Sequence, residues 1–277
     1  MKEDRPNDTA IGAAVVRTVH QLLDDRPLIL DDPVSPKLLA VETVEAVRAN
    51  PDRHRTLQAR GLRSHIVLRS RYAEDQLQEA VQRGVLQFIN VGAGFDTFAF
   101  RQPMWARDLQ IIEVDHPASQ QAKLAYFANR GLSAPANTRF VPLDLEKDNL
   151  LTILGQNGVC LNKTAFFACL GVLAYLTPAA ARKVMEGTAR LPEGSSIVFA
   201  FAPKDSKRKE SKAAERAAQH GEPWLTYFTS NEMEGLLRAS GFSSVTFLSP
   251  ETAAALYYRG RSDLPAPRTT RMCVARV

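Results

Sequence analysis

FINVGAGFDTFAFR, the stretch from Phe88 to Arg101, joins an apolar run to two closely spaced glycines and then to a second apolar run. Gly92 and Gly94 allow a tight turn and the close approach of a ligand, because glycine has no Cβ. This order predicts a strand, a glycine turn and a helix, which is typical of the first unit of a doubly wound α/β sheet. We therefore expect a ligand at the carboxyl ends of the strands.

Seven short apolar runs from Val85 onward predict the rest of the sheet. They are VLQFINV, LQIIEVD, RFVPLDL, TAFFACL, SSIVFAF, SVTFLSP and TRMCVARV. Strands that alternate with helices imply crossover connections and a mostly parallel sheet, whose strands are buried on both faces. The predicted fold is an α/β protein with a doubly wound, seven-stranded, mostly parallel sheet.

The chain before Gly84 has helical periodicity. Three amphipathic segments are DTAIGAAVVRTVHQLLDD, SPKLLAVETVEAVRAN and RSHIVLRSRYAEDQLQEAVQRG. Ser35 is expected to cap the second helix, with Pro36 at its first position. We predict a helical cap over residues 1–84, an α/β domain over 85–277, and a lid inserted after the fifth strand, over 203–228.

Composition and charge exclude several classes of protein. The chain has 277 residues, 45% hydrophobic and 23% charged, as in a folded globular protein. Its longest apolar run is too short for a membrane helix, and the N-terminus lacks the apolar segment of a secretory signal. The net charge of +5 is spread out, without a basic, aromatic-rich stretch for nucleic acid. The three cysteines are far apart in the sequence, so we expect no metal site. Because no secretory signal is present, we expect a cytoplasmic protein.

Acidic residues after the second and third strands indicate an adenosine-type ligand. Asp115 follows the glycines by about twenty residues, where a carboxylate accepts hydrogen bonds from two ribose hydroxyls. Asp144 is placed to accept from an adenine amino group, and Leu145 to offer a backbone N–H and an apolar wall. Nicotinamide-dependent oxidoreductases and methyltransferases share this arrangement. Thr97 replaces the third glycine of a dinucleotide fingerprint and there is no Tyr-x-x-x-Lys pair, which ranks the oxidoreductase second.

Four motifs in this order carry a resemblance to a known family. They are SRYAEDQL, NVGAGFDTFAFR, EVDHP and PLDLE. Together they resemble the leucine carboxyl methyltransferase family, and most closely its bacterial branch of S-adenosylmethionine-dependent methyltransferases. The similarity extends over most of the chain. It implies a class I methyltransferase sheet with its last strand antiparallel, and S-adenosylmethionine as the cofactor.

The resemblance also implies which residues hold that cofactor. Arg71 is expected to pair with the methionine carboxylate. The other expected contacts are Gly92, Ala93 and Gly94 beneath the amino acid moiety, Asp115 at the ribose, and Asp144 and Leu145 at the adenine. One departure is Leu170, which stands where the family commonly has a glutamate; Tyr175 would partly fill that polar role and is predicted to contact the substrate. The departure leaves a non-catalytic descendant of the fold as a further alternative.

The sequence says less about the methyl acceptor than about the cofactor. The family resemblance places the segment ALYYRGRSD near the acceptor, with Tyr258 lining an apolar pocket and Arg261 holding an acidic group. A carboxylate acceptor needs no general base, whereas a phenol does. We predict O-methylation of a small molecule, most plausibly a carboxylate and otherwise the phenolic hydroxyl of a natural product, without assigning a catalytic residue.

Overall fold

A computed structural model describes residues 8–204, 212–219 and 221–277. A seven-stranded sheet lies at its centre. The strands are β1 Gln87–Val91, β2 Gln110–Asp115, β3 Thr138–Pro142, β4 Phe166–Leu170, β5 Ser196–Ala200, β6 Ser244–Phe247 and β7 Met272–Arg276. All seven predicted strands are confirmed, because each is a short apolar run bounded by turn residues.

The strand order is β3-β2-β1-β4-β5-β7-β6. The first five strands pair in parallel, whereas β7 pairs antiparallel with both β5 and β6. The order reverses between β1 and β4, which creates a crevice at the carboxyl ends of these strands. The sheet is therefore mostly parallel and doubly wound, as predicted.

Helices cover both faces of the sheet. They are α1 Asp8–Leu23, α2 Ser35–Leu38, α3 Val41–Ala49, α4 Pro51–Arg55, α5 Leu57–Gln82, α6 Pro117–Ala128, α7 Leu150–Gln156, α8 Pro178–Thr188, α9 Lys212–Gln219, α10 Ser230–Ser240 and α11 Pro250–Tyr257. One apolar core joins the sheet to α7, α8 and α10, and the other joins its opposite face to α5 and α11. The helix α5 belongs to the predicted cap, yet it packs directly on the sheet, so its contacts do not mark a boundary at residue 84. The division of the chain there remains a prediction.

The N-terminal helices differ from the predicted pattern. The segment from Ser35 to Asn50 forms two helices instead of one, because the backbone is extended at Leu39 and Ala40. Ser35 is not the cap: its N–H donates to the Asp32 carboxylate at 3.0 Å. Pro51 begins a further short helix, and α5 starts six residues earlier than the predicted segment.

The prediction of a helix after the glycine turn is also wrong. The chain forms only two short 3-10 turns there, Phe98–Phe100 and Met104–Ala106. The Asp96 carboxylate accepts the N–H of Phe98 at 2.8 Å, and Pro103 has no N–H to continue a helix. The turn therefore presents no long helix N-terminus to a ligand.

Buried ion pairs fix the N-terminal helices to this turn. Asp32 is fully buried between Arg17 of α1, at 3.0 Å, and Arg101, at 3.5 Å. Arg101 also pairs with Glu74 of α5. Burial alone would raise the pKa of Asp32, but the two guanidinium groups hold it below its ordinary value. This ion-pair network connects α1, α5 and the glycine turn.

The predicted lid begins and ends at neighbouring positions beside β5. The N–H of Lys204 donates to the carbonyl of Phe228 at 2.9 Å, and the N–H of Phe228 donates to the carbonyl of Ala202 at 2.9 Å. Residues 205–211 and 220 of the predicted lid lie outside the described residues. Among the residues that are described, no helix has the length and apolar composition to span a membrane.

Candidate functional site

A cavity of 1290 Å³ opens at the carboxyl edge of the sheet. Its floor consists of the residues that follow β1 to β5, including the glycine turn, Asp115, Asp144 and Leu170. Its walls come from α1, from one face of α5, and from Glu215, Ala217 and residues 221–225 of the predicted lid. Small-ligand pockets are typically roughly 300–1,000 Å³, so this cavity has room for two ligands.

The glycine turn lies at the base of the cavity. Gly92 has φ +65°, and a Cβ built on it would lie 2.2 Å from Cγ2 of Val172, so only glycine fits. The N–H groups of Gly92 and Ala93 donate to the Val114 carbonyl at 2.7 and 3.1 Å, and that of Gly94 donates to the Asp115 carboxylate. These N–H groups are thus occupied, and the turn offers no set of free donors for a pyrophosphate.

Asp115 lies at the end of β2 and lines the cavity, as expected. Its carboxylate accepts N–H groups from Gly94 and His116, the latter at 2.7 Å. Burial raises its pKa, and the two backbone hydrogen bonds act in the opposite direction. The carboxylate is therefore held by the backbone N–H groups of Gly94 and His116, with acceptor capacity left for hydroxyl groups.

Asp144 and Leu145 line the cavity directly after β3. The Asp144 carboxylate accepts the N–H of Glu146 at 3.0 Å and pairs with Lys147 at 3.0 Å. Burial opposes its ionisation, but these contacts outweigh burial and hold its pKa below the ordinary value. Leu145 packs against the apolar core beside it. The structure thus brings Asp115, Asp144 and Leu145 together at one end of the cavity.

Arg71 does not line the cavity. Its guanidinium pairs with Asp75 at 2.9 Å, and its side chain is 44% exposed on another face of α5. The Asp75 carboxylate also accepts the hydroxyl of Tyr257 at 2.7 Å. The expected placement of Arg71 is therefore corrected: its helical phase directs it toward α11.

Arg69, and not Arg71, lines the cavity. Two residues along a helix are about 200° apart, so Arg69 and Arg71 face opposite ways. A Cβ built on Gly171, the residue after β4, would lie 2.5 Å from a terminal nitrogen of Arg69. Within residues 8–204, 212–219 and 221–277, no hydrogen bond or ion pair is found for the Arg69 guanidinium. It is a cation that lines the cavity without a direct hydrogen bond or ion pair to the described residues.

Asp96, Leu170 and Tyr175 surround Arg69 in the cavity wall. Burial lowers the pKa of the Arg69 guanidinium and the Arg17 charge lowers it further, whereas Tyr175 and Asp96 raise it. Leu170 supplies no charge, so Asp96 is the carboxylate near Arg69. The sequence analysis missed Asp96, although it stands only two residues after Gly94.

Tyr258 and Arg261 also lie away from the cavity. The Tyr258 hydroxyl is buried and donates to the Ser64 carbonyl at 2.9 Å. Arg261 pairs with Asp263 and donates to the carbonyl groups of Asp25 and Pro27. Both residues hold the C-terminal segment against the N-terminal helices, which corrects their expected placement at the acceptor. Of the three residues expected there, only Tyr175 lines the cavity.

His65 and Arg271 are further cavity residues that the sequence analysis missed. His65 lies one helical turn before Arg69, and this spacing in α5 was a usable signal. Arg271 precedes β7 and has φ +53°, the one left-handed non-glycine conformation in the described part of the chain. Burial and the charges of Arg69 and Arg271 lower the pKa of His65 to about 4. His65 is therefore neutral near pH 7.

Comparisons with known proteins show the family to which the chain belongs. The family model described as leucine carboxyl methyltransferase matches residues 10–189. A Bacillus subtilis (strain 168) protein named "Putative S-adenosyl-L-methionine-dependent methyltransferase YktD" is 31% identical over 290 aligned positions, covering 95% of each chain. A Mycobacterium bovis (strain BCG / Pasteur 1173P2) protein with the same description is 28% identical over 266 positions, covering 87% of this chain and 83% of the relative.

A solved structure titled as a "putative methyltransferase" from Thermobifida fusca YX shares the fold. Its TM-score is 0.59 at 18% identity, and the match covers 99% of this chain and 96% of that one. At this level of identity the likeness concerns the fold alone.

Proposed function

The chain belongs to the leucine carboxyl methyltransferase family, and on this premise we propose that it methylates a carboxylate oxygen of a small-molecule acceptor. It is an S-adenosylmethionine-dependent methyltransferase. The observation that carries the proposal is the weak basicity of His65, the histidine that lines the cavity near Arg69. The finer assignments below are part of the proposal.

The residues that line the cavity fit an S-adenosylmethionine molecule. Asp115 would accept the ribose hydroxyls, and Asp144 with Leu145 would contact the adenine. Gly92, Ala93 and Gly94, which line the cavity, would lie beneath the amino acid moiety. Arg69, instead of Arg71, would bind the methionine carboxylate, and Asp96 would bind its ammonium group in place of the glutamate that Leu170 replaces.

The residues of the glycine turn do not favour the binding of a dinucleotide. The N–H groups of the glycine turn donate to Val114 and Asp115, and only a short 3-10 turn follows. Family membership and this turn together support a methyltransferase over a nicotinamide-dependent oxidoreductase.

The acceptor chemistry is inferred from the available bases. Two described histidines line the cavity, and His116 lies at the adenine end, with its ring nitrogen 4.0 Å from the Asp144 carboxylate. His65 lies near Arg69, but with a pKa of about 4 it is too weak to take a proton from a phenol of pKa about 10. A carboxylate acceptor is already ionised near pH 7 and needs no base. The site therefore favours a carboxylate acceptor.

S-adenosylmethionine supplies an electrophilic methyl carbon bound to a sulfonium. A carboxylate oxygen of the acceptor forms a bond to this carbon while the carbon–sulfur bond breaks and its electron pair stays on sulfur. The products are a methyl ester and S-adenosylhomocysteine, and no proton moves. The protein contributes by holding both reactants in line and excluding water.

A transfer assay with matched acceptors tests the proposal. The enzyme would be incubated with S-adenosylmethionine labelled in its methyl group and with benzoate or phenol, and octanoate or 1-octanol. We expect label only in the base-labile methyl esters of the two acids. Transfer to phenol without transfer to a carboxylate would contradict the proposal, as would the absence of any ester from protein that binds S-adenosylhomocysteine.

A further inference from the structure

A second, much smaller cavity adjoins the large one, between α5 and the sheet. Its volume is 20 Å³, which is room for about one water molecule. Four residues line both cavities, namely Ser70, Asn90, Asp96 and Leu170. The walls of so small a cavity are close to each other. These four side chains therefore form one cluster at the floor of the large cavity.

Asn90 is held in this cluster by the sheet. It belongs to β1, two residues before Gly92, and is paired in register with Glu113 of β2 and Ala168 of β4. Side chains alternate along a strand, so Asn90 points to the same face as Phe88, which packs in the core that contains α5. The ladder therefore fixes the carboxamide beside the glycine turn.

The Asn90 carboxamide has no hydrogen-bond partner in the described part of the chain. The residue is only 7% exposed, and it meets open space at the two cavities. Its neighbours are engaged elsewhere or apolar: the Ser70 hydroxyl donates to a carbonyl of its own helix at 3.5 Å, and Leu170 has no polar atom. A buried amide without a partner is unfavourable. This one is available to a ligand in the large cavity.

The charged groups around Asn90 suit a zwitterion. Asp96, in the same cluster, is a carboxylate that accepts one backbone N–H, from Phe98, and has further acceptor capacity. Arg69 lies on the other side of the cluster, against Gly171, the residue that follows Leu170. A ligand carboxylate is thus attracted to Arg69, and a ligand ammonium to Asp96. Because an ammonium has three N–H donors, it needs acceptors besides one carboxylate.

We propose that Asn90 is a cofactor-binding residue, whose amide oxygen accepts a hydrogen bond from the methionine ammonium of S-adenosylmethionine beside Asp96. Asn90 thereby selects for ligands that carry the ammonium group. The inference rests on the proposed function, because it takes the amino acid moiety of the cofactor to lie between Arg69 and Asp96.

The test compares two ligands that differ only in the ammonium group: S-adenosylhomocysteine and its deaminated analogue, which keeps the carboxylate. Binding of both to the wild type, Asn90→Leu and Asn90→Asp would be measured by calorimetry. Leucine is close to asparagine in size and has no polar side-chain atom, whereas aspartate keeps an oxygen at the same place. The deaminated analogue is the matched control, since a general disturbance of the site would weaken both ligands alike.

We expect Asn90→Leu to weaken the binding of S-adenosylhomocysteine by about tenfold or more, because a hydrogen bond to a charged group is lost. The same variant should bind the deaminated analogue within about twofold of the wild type, since that ligand never makes the hydrogen bond. Asn90→Asp should bind S-adenosylhomocysteine within about threefold of the wild type, because a carboxyl oxygen still accepts from the ammonium.

Equal losses of the two ligands in Asn90→Leu, or no loss of S-adenosylhomocysteine binding, would overturn the inference and leave the proposed function intact. The same holds if Asn90→Asp binds S-adenosylhomocysteine no better than Asn90→Leu. Failure of the wild-type protein to bind either ligand would instead refute the cofactor placement itself.

Discussion

Arg69 makes no hydrogen bond or ion pair with the residues that the structure describes, so replacing it removes little from the ligand-free protein. A hydrogen bond to a charged group contributes about 1.5–3 kcal/mol. We therefore expect Arg69→Gln to weaken S-adenosylhomocysteine binding by about tenfold or more, measured by calorimetry. Arg71→Gln, on the same helix but off the cavity, is the control and should bind within twofold of wild type. Equal effects of the two substitutions would contradict the assignment of Arg69.

His65 gives the protein a defined pH dependence. Its pKa is about 4 in the folded chain against about 6.5 when unfolded, so the unfolded state takes up a proton first as pH falls. Above pH 6.5 the ring is neutral in both states and has no effect, whereas between pH 6.5 and 4 its depressed pKa lowers the free energy of unfolding as pH falls. We expect His65→Gln to lose about 1–2 kcal/mol less stability than wild type between pH 7 and 5 in urea unfolding. Parallel losses in both proteins would contradict the burial of a neutral His65.

The choice between Arg69 and Arg71 shows what a sequence motif leaves open. The motif SRYAEDQL contains only Arg71, whereas Arg69 stands immediately before it in the stretch LRSRY, so the motif alone pointed to the wrong side of the helix. The answer depends on the phase of α5 against the sheet, which is set by buried residues such as Val67 and Leu68. Helical spacing relative to those residues would have favoured Arg69.

At the scale of elements, the ion-pair network of Arg17, Asp32, Glu74 and Arg101 connects α1, α5 and the glycine turn. Removing one member leaves buried charges without a partner, which costs about 3–5 kcal/mol. Arg101 has a side chain only 7% exposed, so we expect Arg101→Ala to lower the free energy of unfolding by this amount. Arg107→Ala, at an exposed position, should change it by less than about 0.5 kcal/mol. A similar small effect for both would show that the network contributes little.

The strands were predictable and some helices were not. Each strand is an apolar run that the sheet buries on both faces, so local pattern and tertiary environment agree. The break at Leu39 and Ala40 has no proline or glycine to signal it, since it arises when Leu38 and Leu39 pack with Phe95 and Phe127. The missing helix after the glycine turn likewise depends on the Asp96 hydrogen bond. Tertiary contacts therefore determine where these two helices break or fail to form.

At the scale of the whole molecule, the cavity is formed by parts distant in sequence. Asp115, Asp144 and the glycine turn come from strand ends, Arg69 from α5, and Arg271 from the approach to β7. The motifs predicted the strand-end residues, because parallel strands bring their carboxyl ends to one edge. They did not predict the wall residues, whose positions depend on how helices cross that edge.

The most direct test is a thermal-unfolding titration of the wild-type protein with S-adenosylhomocysteine, with NAD in parallel. A ligand present at 100 times its dissociation constant stabilises the fold by about 2.7 kcal/mol, which raises the Tm of a protein of this size by several degrees. We predict this rise with S-adenosylhomocysteine and none with NAD. An unchanged Tm with S-adenosylhomocysteine, or an equal rise with NAD, would contradict the assignment of the cavity.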